Sequence, residues 1–206
     1  MSDPVKEKLR TLLARRAPLP IPDVLPDGDR IETAVLVPLV IAPEPSVTLV
    51  VRAAGLRDHA GEVSFPGGKR EQADATLADT ALREAQEEIG LPVQSVDIIG
   101  KLSPVPVATS RYRINPFVGW VPTRPCWKQS GEVARVLDVQ FAALAEGRIA
   151  HQAVEMTWAG HQILSPFFVF EDGTRLYGAT AYVLVELMSV VGPVFGFELP
   201  APKIRR

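Results

Sequence analysis

The sequence predicts an α/β fold, and three observations carry that expectation. Thr33 to Ile41 and Val47 to Val51 are β-branched apolar runs separated by a proline-containing turn, Pro43-Glu44-Pro45, as adjacent strands or a hairpin require. Gly61 to Leu91 reads as an alternating strand ending at Phe65, a Pro66-Gly67-Gly68 turn and an amphipathic helix. Near the C-terminus, Leu184, Leu187, Met188 and Val191 recur at helical spacing inside a closing helix from Leu176 to Val191. With 206 residues, 47% of them hydrophobic and 22% charged, the chain suffices for one well-filled core and is short for two. The expected organisation is a helix and proline-rich arm over 1–30, one domain over 31–191 and a tail over 192–206.

Taken in order, Val5 to Arg16 forms a short helix with Leu9, Leu12 and Leu13 on one side and basic residues on the other. Pro18, Pro20, Pro22 and Pro26 then hold the connector extended. This arm suits packing, or contact with a second copy in a homodimer, better than catalysis. The helix after the glycine turn should begin at Thr76, because Thr76-x-x-Asp79 can form a capping box for the free N–H groups of the first turn. It should stop at Gly90, which tolerates the left-handed conformation, with Pro92 blocking continuation. Ile98 to Leu102, Arg113 to Val121 and Ala134 to Val139 read as strands, and Pro122 to Gly131 has the composition of an active-site loop or flap. Phe141 to Glu146 suggests a short helix and His151 to Phe170 a hairpin. Its aromatics, Trp158, Phe167, Phe168 and Phe170, fit a core better than an adenine platform.

Composition excludes several functions. A net charge of −2 and a pI near 6.0 provide no global field for nucleic acid or an anionic membrane, so any phosphate binding must be local. Cys126 stands alone, which rules out an intrachain disulfide, and His59, His151 and His161 do not fall at metal-ligand spacing. No uncharged apolar run approaches the about 20 residues of a spanning helix; one such run, Ala34 to Pro43, is about half that length and contains proline. The N-terminus, with Asp3, Lys6, Glu7 and Lys8, lacks the apolar core of a signal peptide. A soluble cytoplasmic protein is the expectation.

On the helix after Thr76, turning about 100° per residue places Leu77, Ala78, Ala81, Leu82, Ala85 and Ile89 in one apolar sector spanning about 140°. Glu84, Glu87 and Glu88 lie just beside it, in the last two turns. That is the unfavourable end: each acid near a helix C-terminus costs about 0.3–1 kcal/mol, and mutual repulsion adds to it. Three acids bordering buried surface there either form a solvated face around Arg83 or await a cation, and an oxygen-only site suits Mg²⁺ or Mn²⁺.

The motif decides between these. Arg83-Glu84-Ala85-Gln86-Glu87-Glu88-Ile89-Gly90-Leu91 resembles the second half of the Nudix box, Arg-Glu-apolar-x-Glu-Glu-x-Gly-apolar, at every fixed position. The first half departs from it. Gly68 is followed after five residues by Asp74 rather than Glu, and eight residues rather than seven separate Asp74 from Arg83, so Asp74 is read as part of the loop entering the helix. Upstream, Arg52, Ala53, Arg57, Gly61, Phe65, Pro66, Gly67 and Gly68 are similar in type and spacing to the signature of the coenzyme A pyrophosphatase branch of that family. Tyr177-Gly178-Ala179-Thr180-Ala181 resembles its Trp-Gly-x-Thr-Ala entry to the closing helix, with Tyr for Trp.

The resemblance implies an α/β/α sandwich, a mixed sheet between helices, from about Ile31 to Val191. It implies hydrolysis of the pyrophosphate of coenzyme A or its acyl derivatives, with divalent metal on Glu84, Glu87 and Glu88 and Arg83 in the catalytic cluster. Arg52, Arg57, Gly67 and Gly68 would hold phosphate, since guanidinium groups beside a glycine turn suit bidentate contacts to an anion. Glu132, just before a strand, stands where a carboxylate from outside the box could complete the metal site or act as base. Rival readings are a Nudix enzyme acting on ADP-ribose, a nucleotide sugar or a nucleoside triphosphate, and a non-catalytic nucleotide-sensing module.

Overall fold

The computed structural model describes residues 3–19, 21, 30–56, 59–107, 110–158 and 160–205. Pro20, Pro22 and Pro26 of the connector lie outside the described residues, as does Arg57. In chain order the first elements are helix α1 (Pro4–Arg15) and strands β1 (Ile31–Ala42), β2 (Ser46–Arg52), β3 (Val63–Ser64) and β4 (Gly67–Lys69). Helix α2 (Leu77–Ile89) follows, then β5 (Asp97–Lys101), β6 (Val105–Pro106), β7 (Tyr112–Thr123), β8 (Val133–Gln140) and the short helix α3 (Phe141–Ala145). The hairpin β9 (Ala150–Trp158) and β10 (His161–Val169), β11 (Arg175–Leu176), α4 (Gly178–Val191) and β12 (Lys203–Arg205) complete the order.

Strand β1 is central because it is apolar on both sides. Successive side chains of a strand point to opposite faces. Ala34, Leu36 and Val40 therefore pack with Ala81, Ala85 and Ile89 of α2, while Val35, Val37 and Leu39 join Leu9, Leu13, Leu184 and Leu187 of α1 and α4. The result is helices on both faces of an eight-stranded mixed sheet, the α/β/α sandwich expected. β1 runs parallel to β7 from Ile31↔Tyr112 to Ala42↔Thr123, and the remaining pairs of this sheet are antiparallel.

The other edge of β1 is shared, and that sharing places the site. β2 pairs with its end at Leu39↔Val47, β4 pairs with its start at Thr33↔Lys69, and between them the Leu36 N–H donates to the Pro66 carbonyl at 2.9 Å. The Pro66-Gly67-Gly68 segment, expected as a turn, is therefore inserted into the sheet under α2, with Gly67 and Gly68 in β4 paired with Val35 and Ala34; only the bend at Pro66 remains of the glycine turn. β8 flanks β2 on the far side, and β9 to β12 form a second, four-stranded sheet that the single-sheet expectation did not contain. Its last strand comes from the tail, with Lys203↔Gln152 and Arg205↔Val154 in parallel register.

Other differences are local. Leu12 is 39% exposed, whereas Leu9 and Leu13 are buried, so the apolar side of α1 is narrower than the leucine count suggests. Leu176 belongs to β11, and α4 starts two residues later. Helix α4 and the turn after it, Gly178–Phe195, are long and apolar enough by length and composition to cross a membrane. In this fold its buried residues, among them Ala181, Val183, Leu184, Leu187, Met188 and Val191, belong to the core. Its one acid, Glu186, is 3% exposed and fully engaged: it accepts from Ser103 N–H at 2.9 Å and Ser103 Oγ at 2.7 Å and pairs with Arg16.

Candidate active site

Helix α2 is fixed at both ends by local chemistry. Thr76 Oγ1 accepts from the Asp79 N–H at 3.2 Å, and Asp79 Oδ2 accepts from the Thr76 N–H at 2.8 Å, which is the capping box the sequence predicts. At the other end Gly90 takes a φ of 67°, and the N–H groups of Gly90 and Leu91 bond back to the Gln86 and Ala85 carbonyls. A β-carbon on Gly90 would also come within 2.8 Å of Lys128 Cβ, because the loop between β7 and β8 lies across this end. Lys128 N–H donates to the Ile89 carbonyl at 2.9 Å and Ser130 N–H to the Glu88 carbonyl at 3.0 Å, so two carbonyls the helix leaves over are satisfied by the loop. Burial of Ile89 contributes roughly 1.5–3 kcal/mol, enough to offset the cost of acids at this end.

Those acids part company. Glu88 and Glu84 have 7% and 17% of their side chains exposed, and both face the Gly67-Gly68 turn; Glu87, at 59%, faces solvent and pairs with Arg83 Nη1 at 3.2 Å. The glycines are required by contact. A β-carbon on Gly68 would sit 2.3 Å from Glu84 Oε1, and one on Gly67 would sit 2.3 Å from the Ala34 carbonyl oxygen. Gly67 N–H donates to Glu88 Oε2 at 3.2 Å, and Arg52 Nη1 stands 3.7 Å from Glu88 Oε1 at the end of β2. Arg52 Nε is buried without a hydrogen-bond partner. Burial pushes the Glu88 carboxyl up to about 7, against the Gly67 N–H and the Arg52 charge, which favour ionisation. Glu84 is raised too, first by burial and against the pull of Arg83.

Asp74, read from sequence as loop, is a second buried acid, 6% exposed. Its carboxylate accepts from Glu71 N–H and Thr80 Oγ1 at 2.9 Å each and from Arg83 Nε and Nη2 at 3.0 Å each. The bond from Arg83 is the largest of the causes that hold this carboxyl well below the usual carboxylate range. Arg83 also donates to the Lys69 carbonyl at 3.0 Å and stands 3.1 Å from Glu84 Oε1. It therefore ties the loop before α2 to the acids at its end. The extra residue between Asp74 and Arg83 does not prevent the pair from meeting. The available signal was an acid ahead of a helix N-terminus with a long arginine two turns on.

Glu132 is exposed at the start of β8, where its carbonyl accepts from Ala53 N–H at 2.8 Å. Its charge adds a small contribution to the raised Glu84 and Glu88 carboxyls, after burial. Phe168 is buried and stacks on His151 with centroids 4.8 Å apart, in keeping with a core role. Sequence reading missed that Tyr177 Oη donates to Glu62 Oε1 at 3.1 Å, tying the start of α4 to the loop that follows β2.

Among the described residues, no three His, Cys, Asp or Glu side chains stand as a ready-made ligand group. Glu84 and Glu88, one turn apart on one face, nonetheless fit a hard divalent cation. Both offer oxygen only, both are desolvated acids whose ionisation is opposed, and the missing side chain of Gly68 leaves room at Glu84 Oε1. A cation there would relieve the strain on Glu88 that Arg52, at 3.7 Å, relieves incompletely.

The NUDIX domain matches residues 30–158. The chain is 40% identical to the uncharacterized Nudix hydrolase NudL of Cronobacter sakazakii, over 78% of this chain and 83% of that one, and 39% identical to that of Salmonella paratyphi B over the same shares. A MutT/nudix family protein from Enterococcus faecalis shares the fold with a TM-score of 0.54 at 13% identity, over 94% of this chain and 76% of that chain. The helix bearing the paired acids and the glycine turn beneath it lie inside the matched region, and the match takes in more than half of the sequence; this chain belongs to the Nudix hydrolase family.

Proposed function

We propose that the chain hydrolyses the pyrophosphate bond of coenzyme A or an acyl-coenzyme A, giving 3′,5′-ADP and the (acyl-)4′-phosphopantetheine. The observation that carries this reading is Arg52. It lies at the start of the Arg52 to Gly68 signature, beside Glu88, with a buried Nε that has no acceptor, and a phosphate oxygen is the partner such a donor suits. Nudix enzymes generally use divalent metal ions. Here Mg²⁺ or Mn²⁺ would be held by Glu84 and Glu88, with Glu87 and Glu132 at the solvent side. Bound there, the ion supplies charge neutralisation for the pyrophosphate and a lowered pKa for a coordinated water.

The chain's own residues do the rest. Arg52 orients phosphate, Gly67 and Gly68 let the backbone come close, and Arg83, fixed by Asp74, keeps Glu84 in place. Burial pushes the Glu88 carboxyl up to about 7, so its ionised form is the one that a cation held there would stabilise. The test is a panel of coenzyme A, acetyl-coenzyme A, ADP-ribose, a nucleotide sugar and a nucleoside triphosphate, each with Mg²⁺ and with Mn²⁺, read by product mass. Coenzyme A should give the highest kcat/KM and the two stated products. Equal rates on ADP-ribose would remove the coenzyme A assignment.

A further inference from the structure

An acid outside the box, Asp138, contacts the segment that ends at Glu132. Asp138 on β8 lies opposite Thr48 of β2, two residues from Val50 and therefore on the same side of the sheet as α2. Its Oδ1 accepts from Thr48 Oγ1 at 2.8 Å, its Oδ2 accepts from Trp127 Nε1 at 3.0 Å, and Arg124 forms an ion pair with Oδ2. Thr48 is fully buried and the Asp138 side chain is 12% exposed, so the carboxylate itself is sheltered from water, whereas Arg124 reaches it from the solvent side with 58% of its side chain exposed.

Two of the three donors belong to the segment that joins β7 to β8. This strap leaves β7 at Thr123, where Arg124 N–H donates to the Ala42 carbonyl at 3.2 Å, and enters β8 at the opposite end, where Ala53 N–H holds the Glu132 carbonyl. Between those points Trp127 packs against the core under α2, and Lys128 and Ser130 dock on the last carbonyls of that helix. Besides its backbone ties to the sheet at Arg124 and Glu132 and to the helix at Lys128 and Ser130, the strap is held by the Asp138 side chain through Arg124 and Trp127, and Glu132 is its final residue before the strand.

We propose that Asp138 is a positioning residue for the carboxylate site: by pinning Arg124 and Trp127 it sets the strap so that Ser130 docks on the Glu88 carbonyl and Glu132 presents its carboxylate to Glu84 and Glu88. The inference rests on reading those acids as the cation site. It does not depend on coenzyme A as substrate.

Two variants test it. Asp138→Asn keeps the shape and removes the charge that holds Arg124; Trp127→Phe keeps the packing and removes the Nε1 donor. With melting used to confirm folding, two quantities are read: trypsin cleavage after Lys128 and Mn²⁺ affinity by calorimetry. Both variants should be cut at the strap faster than the parent protein. Both should bind Mn²⁺ about tenfold more weakly, the loss typical of removing a group that orients a ligand. In a Glu132→Gln background the same substitutions should cause no further loss of Mn²⁺ affinity, an outcome a merely structural role would not give. Cleavage and affinity at parental values, or losses of equal size with and without Glu132, overturn the proposal. Turnover is not read, so a different diphosphate substrate would leave these outcomes unchanged.

Discussion

Asp74 and Glu88 are buried to the same degree, 6% and 5% exposed, and flank the same helix, yet their surroundings are opposite. Asp74 accepts four hydrogen bonds, two of them from one guanidinium, and its charge is stabilised. Glu88 has one backbone N–H at 3.2 Å and an arginine at 3.7 Å, and its charge is opposed. Burial alone therefore says little about role. A buried acid whose lone pairs are filled is part of the scaffold, whereas one left short of donors awaits something that is not protein.

The largest expected effect follows from that contrast. Glu88→Gln keeps the shape and removes the charge a cation would need. With saturating Mg²⁺, kcat should fall by at least two to three orders of magnitude, roughly the 3–4 kcal/mol lost with a principal electrostatic group. Glu84→Gln should behave alike. A Glu88→Gln enzyme that kept more than a tenth of parental turnover would end the mechanism, whatever the substrate.

Stability should move in opposite directions for the two acids. In the metal-free protein at pH 8, Glu88→Gln should stabilise by about 1–3 kcal/mol, because the charge opposed by burial is gone. Asp74→Asn should instead lower the melting temperature, since an amide nitrogen would face Thr80, Glu71 or Arg83 donors and leave at least one of them unpaired. Melting curves of both variants settle the matter, and a shift of the same sign in both would break the contrast.

The pH dependence gives a smaller readout of the same difference. Between the ordinary Glu value of 4.5 and about 7, folded Glu88 keeps a proton that the unfolded chain has released, so metal-free stability should fall as pH rises through that window. Asp74 works the other way: its contribution is present above its ordinary value of 3.8 and is lost as pH falls below it. Melting temperatures from pH 4.5 to 8 should show the decline in the parent protein and a flatter profile in Glu88→Gln. A parent profile as flat as the variant's would mean that Glu88 is ionised without help.

What the sequence shows and hides follows the range of the interactions. The limits of α2 were legible because a capping box and a C-terminal glycine act within one turn, and β1 was legible as a strand because a β-branched run covered on both faces is apolar without interruption. The near burial of Glu88 also follows from its place beside the apolar sector. Glu87 and Thr80 show where such counting stops. They share a sector of the wheel, about 20° apart, yet Thr80 is buried under the Asp74 loop while Glu87, two turns on, meets only solvent and Arg83. A helix wheel records direction and not what lies above each turn. The reach of Arg52 to Glu88, the pairing of the tail with β9 and the hold of Asp138 on the strap are contacts between distant segments, which no local pattern announces.

The smallest effect is expected at the other end of the same helix. Asp79 is exposed, lies in the first turn and accepts from the N–H and Oγ1 of Thr76, so the partial positive charge of the helix N-terminus favours it, just as the C-terminus disfavours Glu84 and Glu88. Asp79→Ala removes half of the capping box and a favourable charge, at a cost of about 1 kcal/mol, or about 2–4 °C in melting temperature for a domain of this size. It touches neither the glycine turn nor the paired acids, so kcat should stay within a few-fold of the parent. The three acids should then form a series along one helix: Asp79 stabilising and silent in turnover, Glu84 and Glu88 destabilising and needed for turnover. Measuring melting and kcat together for Asp79→Ala and Glu88→Gln checks the series directly. A large loss of turnover in Asp79→Ala at unchanged stability would show that the N-terminal turn, and not only the acids at the far end, belongs to the reacting site.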